Sequence, residues 1–285
     1  MTIKEISGLI DEAQSLKQIT QVFTQIASSK LKKIRAGVER NREFFLDLSS
    51  LFGLVNIIAT WRKIPLPPKN GKTLAILLSS NERFYGKISS ELLEFFIVQT
   101  SKIRADKIVI GRSAIETLKS MSYALQFTPI ILKMDFPNNA ELLNLANIVK
   151  QYSKVLVFHP KFESVLTQVP AISDITQSQE QINNQDSAKM ATQYNSYIVE
   201  PEIAVMAEFF DSQIKTLLLS TTFLEAELAR TASRLISMDR AQSEAEKYLS
   251  GKQVLLFNAR RSIANGRILE MVAGLGGNKV SGGRG

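Results

Sequence analysis

Few residues in this chain are suited to covalent or metal chemistry. The 285 residues include no cysteine and one histidine, His159. Thiolate nucleophiles, disulfides, cysteine-ligated zinc and histidine metal clusters within one chain are therefore excluded. His159 follows an apolar run and is predicted to end a strand with a local hydrogen bond.

Phosphate-binding motifs are also missing. A dinucleotide-binding unit needs a glycine-rich turn after its first strand, where the backbone approaches phosphate. The apolar run Thr73–Ser79 is followed by SNERFYG, which has one glycine, and no GxxxxGK[ST] motif occurs. We expect no catalytic residue, no metal and no cofactor. An enzyme acting on a nucleotide or a sugar phosphate remains a rival hypothesis without a visible site.

The charged residues indicate an anionic partner instead. The net charge of +8 permits nucleic acid, anionic lipid or an acidic protein. A basic cluster lies in the N-terminal part of the chain and consists of Lys30, Lys32, Lys33, Arg35, Arg40 and Arg42. Glu39 is the only acidic residue close to it. No aromatic residue interleaves with it to stack on bases, so we expect no direct nucleic-acid partner. A basic coiled-coil scaffold or nucleic-acid-binding protein is the second rival.

A very long helix is predicted for Pro201–Gly274. Its only proline is the first residue, and the only glycines inside it are Gly251 and Gly266. At ~1.5 Å rise per residue it would span on the order of 100 Å. Alternating steps of three and four residues pick out one apolar seam, with an average step near 3.5 that predicts a left-handed coiled coil. The seam comprises Phe210, Ile214, Leu217, Leu224, Leu228, Leu235, Met238, Ala245, Leu249, Leu256, Ala259 and Ile263.

A second long helix is predicted for Ile3–Ile58, which has few helix breakers. Its apolar stripe is Ile6, Leu9, Ala13, Leu16, Phe23, Ala27 and Ile34. Neither helix could bury its stripe alone, so we expect residues 1–60 and 201–274 to form an antiparallel coiled coil. The seam residues on which this prediction rests are Phe23, Leu228, Leu235, Leu249 and Leu256.

A small α/β domain, residues 72–199, is predicted between the two helices. It follows a proline-rich linker from Pro65 to Gly71. Short apolar runs alternate with helical stretches, which favours a Rossmann-like, mainly parallel sheet covered on both faces. The predicted strands are Thr73–Ser79, Lys107–Gly111, Pro129–Lys133 and Lys154–His159, and the predicted helices are Ser89–Ser101, Ser113–Leu125 and Ala140–Tyr152.

The end of this domain is predicted less regularly. Phe162–Val169 and Thr192–Val199 could add two edge strands, and the polar stretch Ser173–Ser187 is predicted as a mobile loop. The tail, residues 275–285, is expected to be flexible, because six glycines fall in Gly274–Gly285.

Four segments, in order along the chain, resemble the gamma subunit of the F-type rotary ATP synthase. Gln18–Thr20 with Ile26–Lys33 resembles the family's N-terminal KIT-x-AM-x-x-VAASK signature, and Tyr197–Pro201 resembles the entry to its C-terminal helix. Ala232–Asp239 is similar to its AARM-x-AM segment. Phe257, Asn258 and Arg261 are similar to its YN-x-x-R motif.

Two departures accompany the resemblance. Asn81–Gly86 keeps only the arginine and the final glycine of the family's DRGLCG-like turn, and Asn265–Arg267 replaces an IT-x-E-like stretch. These differences suggest a divergent member, or a relative that serves a specialised F-type-like motor with another output.

The resemblance implies a non-catalytic central shaft that couples nucleotide turnover in a ring of alpha and beta subunits, in a 3:3:1 assembly, to rotation and ion translocation. The implied further partners are an epsilon-type subunit and the membrane rotor ring. The implied location is cytoplasmic, at the inner face of the cell membrane, and the charged N-terminus without a signal peptide agrees with this. The residues expected to contact neighbouring subunits are Lys30, Lys32, Lys33, Arg234, Arg260 and Arg261.

Overall fold

The computed structural model of the chain describes residues 2–61, 71–121, 126–176 and 202–277. The elements in chain order are α1 (Ile3–Trp61), β1 (Thr73–Leu78), α2 (Ile88–Thr100), β2 (Asp106–Ile110), α3 (Arg112–Ser120), β3 (Thr128–Ile130), α4 (Asn139–Lys150), β4 (Lys154–Phe162), β5 (Gln168–Asp174) and α5 (Ile203–Gly277). The chain divides into two compact units, Met1–Ile26 with Ser237–Gly285, and Ala27–Ile236.

The two long helices are α1 and α5, with 59 and 75 residues. A capping box starts α1: Thr2 Oγ1 accepts from the Glu5 amide, and the Glu5 carboxylate accepts from the Thr2 amide. The prediction of long helices at both chain ends is confirmed. The boundaries differ from the predicted ones by a few residues.

The two helices pack together in each compact unit. In the first unit, Ile6 and Ala13 of α1 and Ala245 of α5 are buried, and Lys17 forms an ion pair of 3.1 Å with Glu246. In the second unit α1 contacts α5 again, and the contacts run antiparallel. There, Lys30 pairs with Glu227, while a Cβ at Gly37 would lie 3.9 Å from Leu224.

The sheet has the order β3-β2-β1-β4-β5. The first four strands are parallel, and β5 pairs with β4 in the antiparallel sense. Strand β1 is central and is buried from Leu74 to Leu78. A strand buried on both faces reads as a continuous apolar run, which is why the sequence predicted it correctly.

Helices cover both faces of the sheet. On one face Ala75 and Leu77 of β1 pack with α2 and α3. On the other face Leu74, Ile76 and Leu78 pack with α4 and with α5, which contributes Leu219, Phe223 and Ala226. The predicted mainly parallel α/β domain is therefore confirmed, and α5 forms part of its core.

The edge-strand prediction for Phe162–Val169 is wrong. Residues 163–167 form a turn in which the Glu163 amide donates to the Thr167 carbonyl, and the strand that follows is β5, Gln168–Asp174. The last two residues of β5, Ser173 and Asp174, fall in the predicted polar loop, but they pair with β4.

Several other predictions lie partly or wholly outside the described residues. These are the linker from Pro65, the end of the helix predicted for Ser113–Leu125, the strand predicted for Thr192–Val199, most of the predicted loop, and residues 278–285 of the tail.

Candidate functional site

A group of charged side chains, most of them buried, lies where α5 meets the carboxyl ends of the sheet strands. We call it the helix–sheet joint, and all its members belong to the Ala27–Ile236 unit. It contains three cations and three carboxylates with a tyrosine and a serine. The members are Lys30 of α1; Glu82 and Tyr85 of the β1–α2 loop; Asp135 of the β3–α4 loop; and Glu227, Arg230, Ser233 and Arg234 of α5.

The loops of the joint are fixed by the sheet. Gly111 follows β2 with φ of 109°, and a Cβ there would lie 2.7 Å from the Ser79 carbonyl carbon and the Ser80 amide nitrogen. Only glycine allows this approach, since such a distance is too short for a side chain. The Ser79 amide then donates to the Ile110 carbonyl at 2.8 Å, which holds the β1–α2 loop against β2.

Arg230 is the centre of the joint and is 2% exposed. Its guanidinium donates to the carbonyls of Leu78 and Ser79, at 3.4 and 3.0 Å, where β1 ends. It also donates to the Asp135 carbonyl at 3.5 Å and to the Glu227 carboxylate at 3.0 Å. One side chain of α5 thus binds both loops at the carboxyl edge.

Glu227 links the two helices, because its carboxylate accepts from Arg230 and also pairs with Lys30 of α1. Burial opposes the charged form of Glu227, but Arg230 and Lys30 outweigh this effect and lower the pKa of the carboxyl. The carboxylate is therefore ionised and paired at neutral pH. A buried charge is tolerated only with such partners.

Tyr85 closes the joint on the loop side. Its hydroxyl donates to the Asp135 carboxylate at 2.6 Å, and Arg234 lies 3.9 Å from the centre of its ring. Burial and the carboxylates of Glu227 and Asp135 raise the pKa of Tyr85, so it stays a phenol that can donate.

Arg234 and Ser233 hold the β1–α2 loop on both sides of Phe84. Arg234 donates to the Glu82 carboxylate at 2.9 Å and to the Arg83 carbonyl at 2.8 Å, while the Ser233 hydroxyl donates to the Tyr85 carbonyl at 2.7 Å. Between these anchors Phe84 has φ of 69°, in the left-handed region. Such a strained residue persists because the bonds on either side fix the backbone.

The joint occupies the position at which doubly wound sheets bind ligands. In those sheets the ligand lies outside the carboxyl ends of the strands, where the strand order reverses. Here the order reverses at β1, and the carbonyls that end β1 bind Arg230. The chain's own helix therefore fills this place.

The predicted contact residues fall into two groups. Lys32, Lys33, Arg260 and Arg261 are exposed. Arg234 is 6% exposed and binds the β1–α2 loop, so it does not present its charge to a partner as expected. Lys30 is half-buried in the pair with Glu227. Both are held by their own chain: Glu227 of α5 pairs with Lys30, and the β1–α2 loop binds Arg234.

The predicted seam residues are placed unevenly. Leu228 is buried, whereas Phe23, Leu235, Leu249 and Leu256 are half-buried. Beyond Ala245, no described residue of α5 is classed as buried.

The distal part of α5 exposes large apolar side chains. Their positions, at 100° per residue, are distributed around the whole helix rather than along one stripe. They are Val254, Leu255, Phe257, Ile263, Ile268, Leu269, Met271 and Val272, with exposed fractions of 48–69%.

His159 is a structural residue. It lies inside β4 and not at its end, is buried, and has Nε2 2.7 Å from the Ser173 hydroxyl of β5. Burial lowers the pKa of His159 to about 4. The imidazole is therefore neutral at physiological pH.

Within the described ranges there is no group of three or more side chains that could hold a metal ion. Across these same ranges, no helix is both long and apolar enough to cross a membrane.

One pattern in the sequence points to the joint. Glu227, Arg230 and Arg234 are spaced by three and four residues and continue the apolar stripe of Phe223 and Ala226. Charged residues that continue an apolar stripe point to buried partners, but the sequence does not say which loops supply them.

The chain is similar to known proteins over nearly its whole length. The model of the ATP synthase family matches residues 2–276. Two curated relatives are ATP synthase gamma chains of Staphylococcus haemolyticus and Staphylococcus saprophyticus. They are 21% and 22% identical over 289 aligned positions, with coverage of 96% of this chain and 98% of each relative.

Two solved structures share the fold. One is from the Euglena gracilis mitochondrial ATP synthase, OSCP/F1/c-ring, with a TM-score of 0.64, 13% identity, and coverage of 99% of this chain and 97% of that chain. The other is from the Tetrahymena thermophila mitochondrial ATP synthase central stalk and c-ring, with a TM-score of 0.57, 17% identity, and coverage of 78% and 99%.

Proposed function

Because the chain belongs to the ATP synthase family, as a divergent gamma subunit and non-catalytic central rotor shaft, we propose that it turns within a ring of three alpha and three beta subunits. The ring carries out nucleotide turnover, and the chain couples that turnover to ion translocation. Its part in the reaction is mechanical, since α1 and α5 transmit rotation.

The distal part of α5 is the observation that carries this proposal. Large apolar side chains on all sides of a helix are stable only when they are covered on all sides. Val254, Phe257, Leu269 and Val272 are each at least 60% exposed in this chain. A surrounding ring of subunits would cover them, whereas one partner helix would cover a single stripe.

The exposed basic residues support the same assembly. We propose that Lys32, Lys33, Arg260 and Arg261 contact acidic loops of the surrounding ring. Long-range charge contacts suit a rotating interface, because they do not require one fixed packing arrangement.

The sheet domain is proposed to contact the moving parts outside the ring. These would be an epsilon-type subunit and the membrane rotor ring, which would make the chain peripheral to the inner face of the membrane. The neighbouring Euglena and Tetrahymena structures are assemblies whose names include the c-ring, which supports a rotor partner of this kind.

The alternative is the same shaft in a specialised ATPase motor with another output. It is favoured by the altered turn at Asn81–Gly86, whose residues Glu82 and Tyr85 are bound by α5 in this chain. The two proposals differ in the partners of the sheet domain, not in those of α5.

The test is affinity purification of the full chain from its own cells at moderate salt, followed by native mass measurement. We expect two homologous ATPase subunits in a 3:3:1 complex, and rotor-ring subunits after mild detergent extraction. ATPase subunits without rotor subunits would favour the alternative. Recovery of the chain alone, or ATP hydrolysis by the chain alone, would contradict the shaft.

A further inference from the structure

The connection between α5 and the sheet domain contains two kinds of contact. Leu219, Phe223 and Ala226 pack on the face of the sheet. Arg230 and Arg234 make directed hydrogen bonds to the loops at its carboxyl edge. Apolar contacts have no preferred direction, whereas hydrogen bonds weaken when donor and acceptor are misaligned.

The directed bonds oppose rotation of α5 about its own axis. Arg230 binds the carbonyls that end the central strand, and Arg234 binds the loop that follows it. Turning α5 relative to the sheet would pull both guanidinium groups away from fixed backbone acceptors. Their charges would then be left buried without partners, which is costly.

Glu227 extends this restraint to the other helix. Its carboxylate contacts Lys30 of α1 and Arg230 of α5, so it links α1 to the arginine that binds the end of β1. The two helices therefore cannot turn past each other at this level without breaking the same network.

We infer that Glu227, Arg230 and Arg234 are the positioning residues through which torque passes between the helix pair and the sheet domain. This inference rests on the proposed function and names the residues that carry it out. In this chain, the place where a doubly wound sheet would bind a ligand is filled by side chains of α5, and they connect the helix mechanically to the sheet.

The charges can be separated from simple packing by a paired substitution. Arg230→Met removes the bonds to β1 and leaves Glu227 with Lys30 alone. The double variant Glu227→Met with Arg230→Met replaces the buried ion pair by apolar side chains, and such replacements often restore stability. Lys30 is 39% exposed and can then turn to water. The double variant still lacks the directed bonds to β1.

The experiment uses the complete complex in liposomes. ATP hydrolysis is measured together with membrane potential, reported by a voltage-sensitive dye. For Arg230→Met we expect hydrolysis to continue while ion translocation per ATP falls at least about threefold. For the double variant we expect thermal stability of the isolated chain to return towards the wild-type value, while translocation per ATP stays low.

Two further variants complete the design. Arg230→Lys keeps the charge but cannot reach two strand carbonyls and Glu227 together, so we expect a folded chain with intermediate translocation per ATP. The Arg230→Lys variant still tests the inference if Arg230→Met does not fold. Arg104→Met is the matched control, because Arg104 is an exposed arginine of the same sheet domain. We expect it to leave coupling unchanged.

Two outcomes would overturn the inference. Full translocation per ATP in both Arg230→Met and Arg230→Lys would show that the joint does not transmit torque. Recovery of both stability and translocation in the double variant would show that packing alone is sufficient. If the wild-type chain did not assemble with ATPase subunits, the proposed function itself would be contradicted. If the wild type and the Arg230 variants all translocated ions normally, only the inference about the joint would be contradicted.

Discussion

Two regions of the same helix, α5, differ in where their side chains find partners. In the helix–sheet joint, Glu227, Arg230 and Arg234 are buried charges whose partners all belong to this chain. In the distal part, apolar residues such as Leu269 and Val272 are exposed on every side of the helix. The charges of the first region are paired within the chain, whereas the proposed partners of the second are other subunits.

This difference assigns separate tasks to one continuous helix. Buried ion pairs with directed bonds fix one orientation, which suits a connection that must not slip. Apolar and basic exposed surface permits contact in several orientations, which suits a shaft inside a ring. Substitutions should therefore affect assembly in one region, and folding and coupling in the other.

The largest expected effect is on assembly. Leu269→Asp with Val272→Asp should weaken binding of the ATPase subunits by at least about 100-fold, since each apolar side chain contributes about 1.5–3 kcal/mol when fully buried. The unfolding midpoint of the isolated chain should hardly change, because both side chains are exposed there. Native mass spectrometry and urea unfolding measure the two quantities.

The control for this prediction is Leu166→Asp, in the turn between β4 and β5. Leu166 is 78% exposed, so it tests whether any exposed apolar residue matters. We expect normal assembly. Equal loss of assembly in the control and in the distal variant would remove the distinction between the two regions.

The next effect is on stability. Glu227→Ala should lower the free energy of unfolding of the isolated chain by about 3–5 kcal/mol, because it leaves Arg230 buried without its carboxylate. Glu244→Ala is the matched control in the same helix, since Glu244 is exposed and pairs with Lys247 at the surface. It should cause little measurable change. A similar loss of unfolding free energy in both variants would mean that the burial of Glu227 does not account for its effect on stability.

A smaller effect concerns pH. The pKa of Glu227 is lower in the folded chain than its usual value, because Arg230 and Lys30 outweigh burial. Its stabilisation is therefore fully present above about pH 4.3, the ordinary glutamate pKa, and is lost as the pH falls through the folded value.

Glu227→Gln should make the free energy of unfolding depend less steeply on pH below about 4.3, by up to about one proton. Urea unfolding of both proteins between neutral and acid pH measures this slope. Identical slopes would contradict the ionised pair.

The smallest effect concerns the exposed charges. Lys32→Ala with Lys33→Ala should weaken assembly by a few-fold, roughly, at low salt and hardly at all at high salt, as expected of screened contacts. The control pair is Lys102→Ala with Arg104→Ala, exposed basic residues of the sheet domain. A loss that is independent of salt, or equal in the control pair, would exclude a charge contact at these lysines.

The sequence predicted the parts of the fold that depend on local periodicity. The two long helices and the strand from Thr73 were correct, since helix breakers and continuous apolar runs are visible without tertiary contacts. Strand β5 was misplaced because Gln168–Asp174 contains Pro170, which is compatible with a strand only at the edge of a sheet, and the sequence does not show that edge position.

The joint could not be predicted in the same way. Arg230 and Ser79 are 151 residues apart in sequence, and the pairing of Arg234 with the loop around Arg83 depends on how α5 packs on the sheet. Sequence patterns show that a charge lies in an apolar stripe, but they do not show its partner. This is why Arg234 was expected at a subunit interface and lies within its own chain.

Rotation of the sheet domain is the most direct test of the shaft. The chain has no cysteine, so Lys119→Cys, at the end of α3, allows one probe to be attached to the sheet domain. With the alpha and beta subunits immobilised, we expect ATP to turn the probe in one direction, with three pauses in each turn. A complex that hydrolyses ATP at the wild-type rate while the probe stays still would contradict the shaft.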